Sequence, residues 1–213
     1  MVVGVGNSTL YSLCMSERKA QPEARKPKVP RKITPQRLAA IALHYLERYA
    51  SSSENLKRVL ERRVYKSVRH HGEPDAETAA DWIADLIKRY QEVGLLNDLA
   101  FAEARARSLM ERGTASRAIR MKLLEKGVDA DTIDQALAAL TDEAPDPELH
   151  AAIKLARRRR LGPYADPDKR AETKDKHLAA MARAGFGYDM ARRVIECDDT
   201  DELEDLLNPP LIP

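Results

Sequence analysis

The stretch Arg112–Leu140, RGTASRAIRMKLLEKGVDADTIDQALAAL, reads as a helix, a break at Gly127 and a second helix. Glycine at such a break supplies the left-handed residue that closes a helix. Asp129 and Asp131 start the next one, which carries Ile133, Ala136, Leu137 and Leu140 at helical spacing. The pattern Leu123, Gly127, Val128, Asp131, Ile133, Ala136, Leu137 recurs as Met181, Gly185, Phe186, Asp189, Ala191, Val194, Ile195, a constant shift of 181 − 123 = 58 residues. Two copies of one helical unit in a chain of 213 residues predict a repeat protein.

Working outward, Gly113 ends a helix over about 98–111 that Asn97 or Asp98 caps, and Thr114 and Ser116 cap the helix that follows. Ala144-Pro145-Asp146-Pro147 is a linker. A helix over about 147–160 then leads to LGPYADPD, a turn rich in Gly, Pro and Asp. The next helix ends at Gly185, and a last one carries Met190, Val194 and Ile195.

A third unit lies upstream. Thr34-Pro35 opens its first helix, where Leu38, Ile41, Ala42, Tyr45, Leu46 and Tyr49 form one buried stripe. Ser51-Ser52-Ser53-Glu54 is a capping-box signature for a second helix, from about Ser53 to Arg69, with Leu56, Leu60, Val64 and Val68 inward. Asp75 caps a third helix that buries Trp82, Ile83, Leu86, Ile87 and Tyr90 and ends at Gly94. The inward trios of the three third helices agree: Ile83, Leu86, Ile87; Ile133, Ala136, Leu137; Ala191, Val194, Ile195.

The expected fold is therefore all-α, with nine helices in three tandem three-helix units at 34–97, 98–145 and 146–198. A disordered basic N-terminal arm is expected at 1–33 and an acidic C-terminal tail at 199–213. Charged residues make up 33% of the chain and aromatics only 5%, which favours thin cores between small helices and an elongated shape. Each unit is near the lower size limit for an independent core.

The net charge of +2 conceals a segregation. Met15–Arg37 holds eight Lys or Arg against two Glu, and Glu196–Asp205 holds seven acids and no base. Such ends suit a nucleic acid or a charged protein partner, or are simply solvated. Met15 reads as a start in its own right, with residues 1–14 as an upstream extension; N-terminal sequencing that began at Met1 would refute this. Cys14 and Cys197 have no CxxC neighbour and read as chance thiols in a reducing cytosol. No stretch approaches the roughly 20 apolar residues that span a membrane.

Catalytic motifs are missing: there is no GxxxxGK[ST], GxGxxG after a strand, HExxH or GxSxG. The neighbours His70 and His71 point about 100° apart on a helix and make a poor ligand pair. No catalytic, cofactor-binding or metal-binding residues are assigned. The second helix of each unit, or its flank, is basic. The candidate contact residues are Arg58, Arg62 and Lys66 in the first unit, Arg117, Arg120 and Lys122 in the second, and Arg157 and Arg158 in the third. Repeated basic faces can follow a phosphate backbone; one alone is more simply a solvated face balanced by Glu54, Glu61 or Glu125. No aromatic stacking platform is evident, so contacts to DNA are expected to be non-specific.

The segments ALHYLERYASSSENLKRVL, GLLNDLAFAEARARSLMERGTASRAIRMKLLEKGVDADTIDQAL and KHLAAMARAGFGYDMARRVIE, in this order within about residues 35–198, resemble the bacterial RecX regulatory proteins. The resemblance implies three tandem three-helix units in an extended, curved, solenoid-like arrangement. It also implies a cytoplasmic, non-enzymatic modulator that binds the RecA filament on single-stranded DNA. Such proteins lower the recombinase's ATPase, strand-exchange and co-protease activities in DNA repair, and bind DNA weakly. A monomer without cofactors is expected. The chain departs from the family where Asn97-Asp98 replaces two acids, at the HHGEPD insertion, and in the basic arm. The competing reading is a DNA-binding protein without a recombinase target.

Overall fold

A computed structural model describes residues 29–143 and 145–207, and these residues form ten α-helices and no strand. Local chemistry sets the boundaries. Thr34 accepts the Arg37 N–H and starts α1 (Pro35–Leu46). Ser52 accepts the Asn55 N–H and starts α2 (Ser53–His71). Asp75 opens α3 (Ala76–Glu92) and Asn97 opens α4 (Asp98–Glu111). Ala115 precedes α5 (Ser116–Glu125) with no side-chain cap, so the expected caps Thr114 and Ser116 only flank the true position. Asp129 accepts the Thr132 N–H at 2.8 Å in the first turn of α6 (Ala130–Glu143), and the Thr132 donors hold its carboxyl below the usual range. Asp146 caps α7 (Pro147–Arg159). Two single-turn 3-10 helices then precede α8 (Arg170–Arg183), α9 (Tyr188–Ile195) and α10 (Thr200–Leu207). The capping box predicted on Glu54 does not form. Ser52 is the cap, its third neighbour is Asn55, and Glu54 pairs with Lys57 and Arg58 instead.

Both ends differ from expectation. Leu203 and Leu207, four apart, turn one side of α10 onto the core, and α10 packs on α7. Residues 200–207 are thus a helix rather than a plain acidic tail; 208–213 lie outside the described residues. So do residues 1–28 of the basic arm. Ile33, at the arm's expected end, is buried, and its N–H donates to Ser67 Oγ at 3.2 Å.

Three thin cores are expected from the sequence; the described residues pack into two. Leu38, Leu56, Leu60, Ile83 and Leu86 anchor one core across α1–α3. The other runs unbroken from α4 to α10 through Ile119, Leu123, Ile133, Ile153, Met181 and Val194.

The reason lies at equivalent positions. The turn before the third helix of a unit rests on the start of the second helix of the preceding unit. Gly127 lies on Glu54, where an added Cβ would come within 2.3 Å of Cγ, whereas Gly185 lies on Ala115 and Ala118 at 3.4 and 3.5 Å. The first joint is polar. The Ser52 hydroxyl donates to the Lys126 carbonyl, Arg58 Nη1 to the Glu125 carbonyl at 2.9 Å, and Lys126 Nζ to Asn55 Oδ1 at 3.3 Å. With Ala115 in place of Ser52, the second joint is apolar and the cores merge. Both joints share one latch: an acid in the first turn of a unit accepts the N–H that opens the preceding second helix. These bonds are Ser53 N–H to Asp98 Oδ1 at 2.7 Å and Ser116 N–H to Glu148 Oε2 at 3.0 Å.

In the third unit the Gly162 N–H donates to His177 Nδ1 at 3.1 Å, so that nitrogen is unprotonated in the fold. Burial holds His177 below its ordinary value of 6.5. The unfolded chain therefore binds the extra proton first as pH falls, and stability declines from about pH 6.5 downward. The thermal midpoint is expected to drop between about pH 7 and 5.5, and to drop less in His177→Asn, whose carbonyl accepts without titrating. Equal slopes in the two proteins would assign the effect to other groups.

Candidate nucleic-acid and partner interface

The partners of the basic side chains sort the candidate residues. On α2, Arg58 pairs with Glu54 at 3.2 Å and, through its bond to Glu125, belongs to the first joint. Arg62 Nε donates to the Arg58 carbonyl at 3.2 Å, on a face shared with Glu61 and Tyr65. Lys66 is exposed elsewhere, with Arg63 beside a groove toward α1. On α5, Arg117 and Lys122 are exposed, whereas Arg120 is ion-paired with Asp134. On α7, Arg157 pairs with Glu204 at 2.9 Å and Arg158 donates to the Arg112 carbonyl. Arg58, Arg120, Arg157 and Arg158 are thus engaged within the chain. Lys66, Arg117 and Lys122 are exposed and have no carboxylate partner among the described residues.

The third unit absorbs much of the acidic segment. Lys174 and Arg192 each reach Glu196 at 2.7 Å and hold its carboxyl below the usual range. Arg170 lies 3.5 Å from Asp198. Glu204 also accepts from the Tyr164 hydroxyl at 2.9 Å; burial and this carboxylate push the phenol well above its ordinary value. The Cys197 thiol is likewise raised, mainly by burial; Cys14 lies outside the described residues.

The sequence does not single out Arg31, Arg37 or Arg48; it places Arg63 on the basic second helix but not among the candidate contacts, and it does not foresee the exposure of Tyr49. Placed by periodicity on the buried stripe of the first helix, Tyr49 is 58% exposed, because α1 ends at Leu46 and the period ends with it. Its ring lies 5.2 Å from that of Tyr45. Among the described residues no group of three or more His, Cys, Asp or Glu is placed to hold a metal ion, and no helix is long and apolar enough to cross a membrane.

Stacked three-helix units with charged outer faces define an all-helical tandem-repeat protein built around surfaces. The family model for the second three-helix domain of RecX matches residues 97–137. Regulatory protein RecX of Myxococcus xanthus (strain DK1622) is 41% identical over 186 residues, covering 85% of this chain and 98% of that protein. Its namesake in Deinococcus radiodurans is 30% identical over 194 residues, covering 89% and 83%. The chain belongs to the RecX family of regulatory proteins. The crystal structure of RecX from Lactobacillus salivarius shares its fold, with a TM-score of 0.55 and 21% identity over 80% of this chain and 96% of that one.

Proposed function

We propose that the chain is a non-enzymatic regulator of the RecA recombinase, binding its filament on single-stranded DNA and inhibiting ATPase, strand exchange and co-protease activity. Kinship along 98% of a RecX protein carries this reading, and the exposed bases Lys66, Arg117 and Lys122 on successive units support it. Several weak contacts from one chain act together through effective concentration. Weak, non-specific DNA binding and action as a cytoplasmic monomer belong to the same proposal.

The decisive measurement is RecA ATPase on single-stranded DNA, titrated with substoichiometric protein. Inhibition well below one molecule per RecA is expected. Inhibition only once the DNA is coated would favour a DNA-binding protein without a recombinase target, with its steep salt dependence. Within this reading, Arg117→Glu combined with Lys122→Glu is expected to raise half-inhibition about tenfold, or about 1.4 kcal/mol. Arg120 is spared because Asp134 already holds it. An unchanged titration with an unchanged circular dichroism spectrum would remove α5 from the interface.

A further inference from the structure

We propose that the groove between α1 and α2, with its continuation past Tyr49 toward α4, seats single-stranded DNA, the basic side chains holding phosphates and the Tyr49 ring stacking on a base. The first groove encloses about 580 Å³ and is lined by Arg31, Arg37, Arg48, Arg63 and Lys66. The second, of about 770 Å³, adds Arg105 and Lys126. They run into one another because Tyr45, Arg48 and Tyr49 line both.

Among the described residues, no carboxylate lines either groove. Elsewhere the chain sets many of its bases against acids, as in Arg120–Asp134, Arg157–Glu204, Lys174–Glu196 and Arg193–Asp146. Here Lys126 reaches only the Asn55 amide oxygen, and the Arg37 Nε is buried without any hydrogen-bond partner. A concave run of seven bases with no acid among the described lining residues focuses a positive potential along one track, which suits a polyanion.

The tyrosines decide which polyanion. Tyr45 is fixed, its hydroxyl accepting from Asn55 Nδ2 at 3.1 Å, and Tyr49 lies against it with most of its ring in solvent. A supported, exposed ring in the middle of a cationic track is the arrangement that stacks unpaired bases. An acidic peptide would use the arginines and leave the ring idle. The proposal deepens the filament reading by placing the DNA strand, and it is tested without RecA, so its failure leaves that reading standing.

The test is fluorescence anisotropy of the full chain with a labelled oligo-dT of about 20 nucleotides and an abasic oligomer of equal length. Tyr49→Ala is expected to weaken oligo-dT about tenfold and the abasic strand less than twofold. Arg48→Gln with Arg63→Gln, both exposed, is expected to weaken both strands about tenfold. It should also flatten the log K against log salt slope by about 1.4, at about 0.7 per phosphate. Lys88→Gln on α3, outside both grooves, is expected to stay within about twofold. The proposal is overturned if Tyr49→Ala affects the two strands alike, or if the arginine pair leaves binding within twofold. Displacement of oligo-dT by polyglutamate, with Tyr49→Ala silent, would assign the groove to an acidic protein instead.

Discussion

Gly113→Ala is expected to lower the unfolding free energy by about 3 kcal/mol in urea denaturation followed by circular dichroism. Gly113 has φ +74°, a left-handed conformation costing a residue with a Cβ about 1–2 kcal/mol. The added methyl would also come within 2.9 Å of the Ala151 carbonyl oxygen and the Leu155 nitrogen. Both are backbone atoms of α7 and cannot swing aside, so the helix itself must shift; overpacking of this kind costs about 1–3 kcal/mol more. Gly72, at φ +76° with nothing within 4 Å of an added Cβ, isolates the conformational part, and Gly72→Ala is expected to cost about 1–2 kcal/mol. Equal losses in the two variants would mean that the α4–α5 turn does not press on α7 as described.

The second large effect separates the two cores. Leu60→Ala and Ile133→Ala each remove a fully buried side chain and are expected to cost about 2–5 kcal/mol. Their reach should differ. Native-state amide exchange in Leu60→Ala is expected to quicken across α1–α3 and little beyond. In Ile133→Ala it is expected to quicken from α4 through α9, including the amides around Met181 and Val194, which share its core. Exchange that quickens around Val194 in Leu60→Ala as much as in Ile133→Ala would show that the polar joint couples units as tightly as the apolar one.

Helix identity was legible wherever cap chemistry and hydrophobic period agreed. Thr34 and Asp75 stand where the sequence placed them, and Asn97 and Asp129 are each one of two residues it offered, because each cap acts within three residues of its own helix. The Ser51–Glu54 box failed because three adjacent serines offer three registers, and contacts from the next unit select among them: Ser52 reaches Lys126, 74 residues away. The merged core was hidden for a similar reason. Ala115 and Ser52 carry the difference, but which surface each meets depends on how the units stack. Among the candidate site residues, chemistry was legible and availability was not. The charge on Arg157 is plain in the sequence, while the Glu204 that occupies it lies 47 residues away on a helix not foreseen there. α10 itself has only a short apolar pattern amid acids, too little for periodicity to outweigh its charge.

The polar joint between α2 and the α5–α6 turn also governs how the molecule bears mechanical load. Hydrogen bonds such as Ser52–Lys126 and Arg58–Glu125 break over a short extension and reform with water or with each other on release. The apolar seam behind Ala115 must instead expose methyl groups along its length before it parts. Tension applied end to end is therefore expected to open the chain reversibly at Gly127 and leave both cores folded. A chain built this way is expected to part first at its polar joint, before either hydrophobic core is opened.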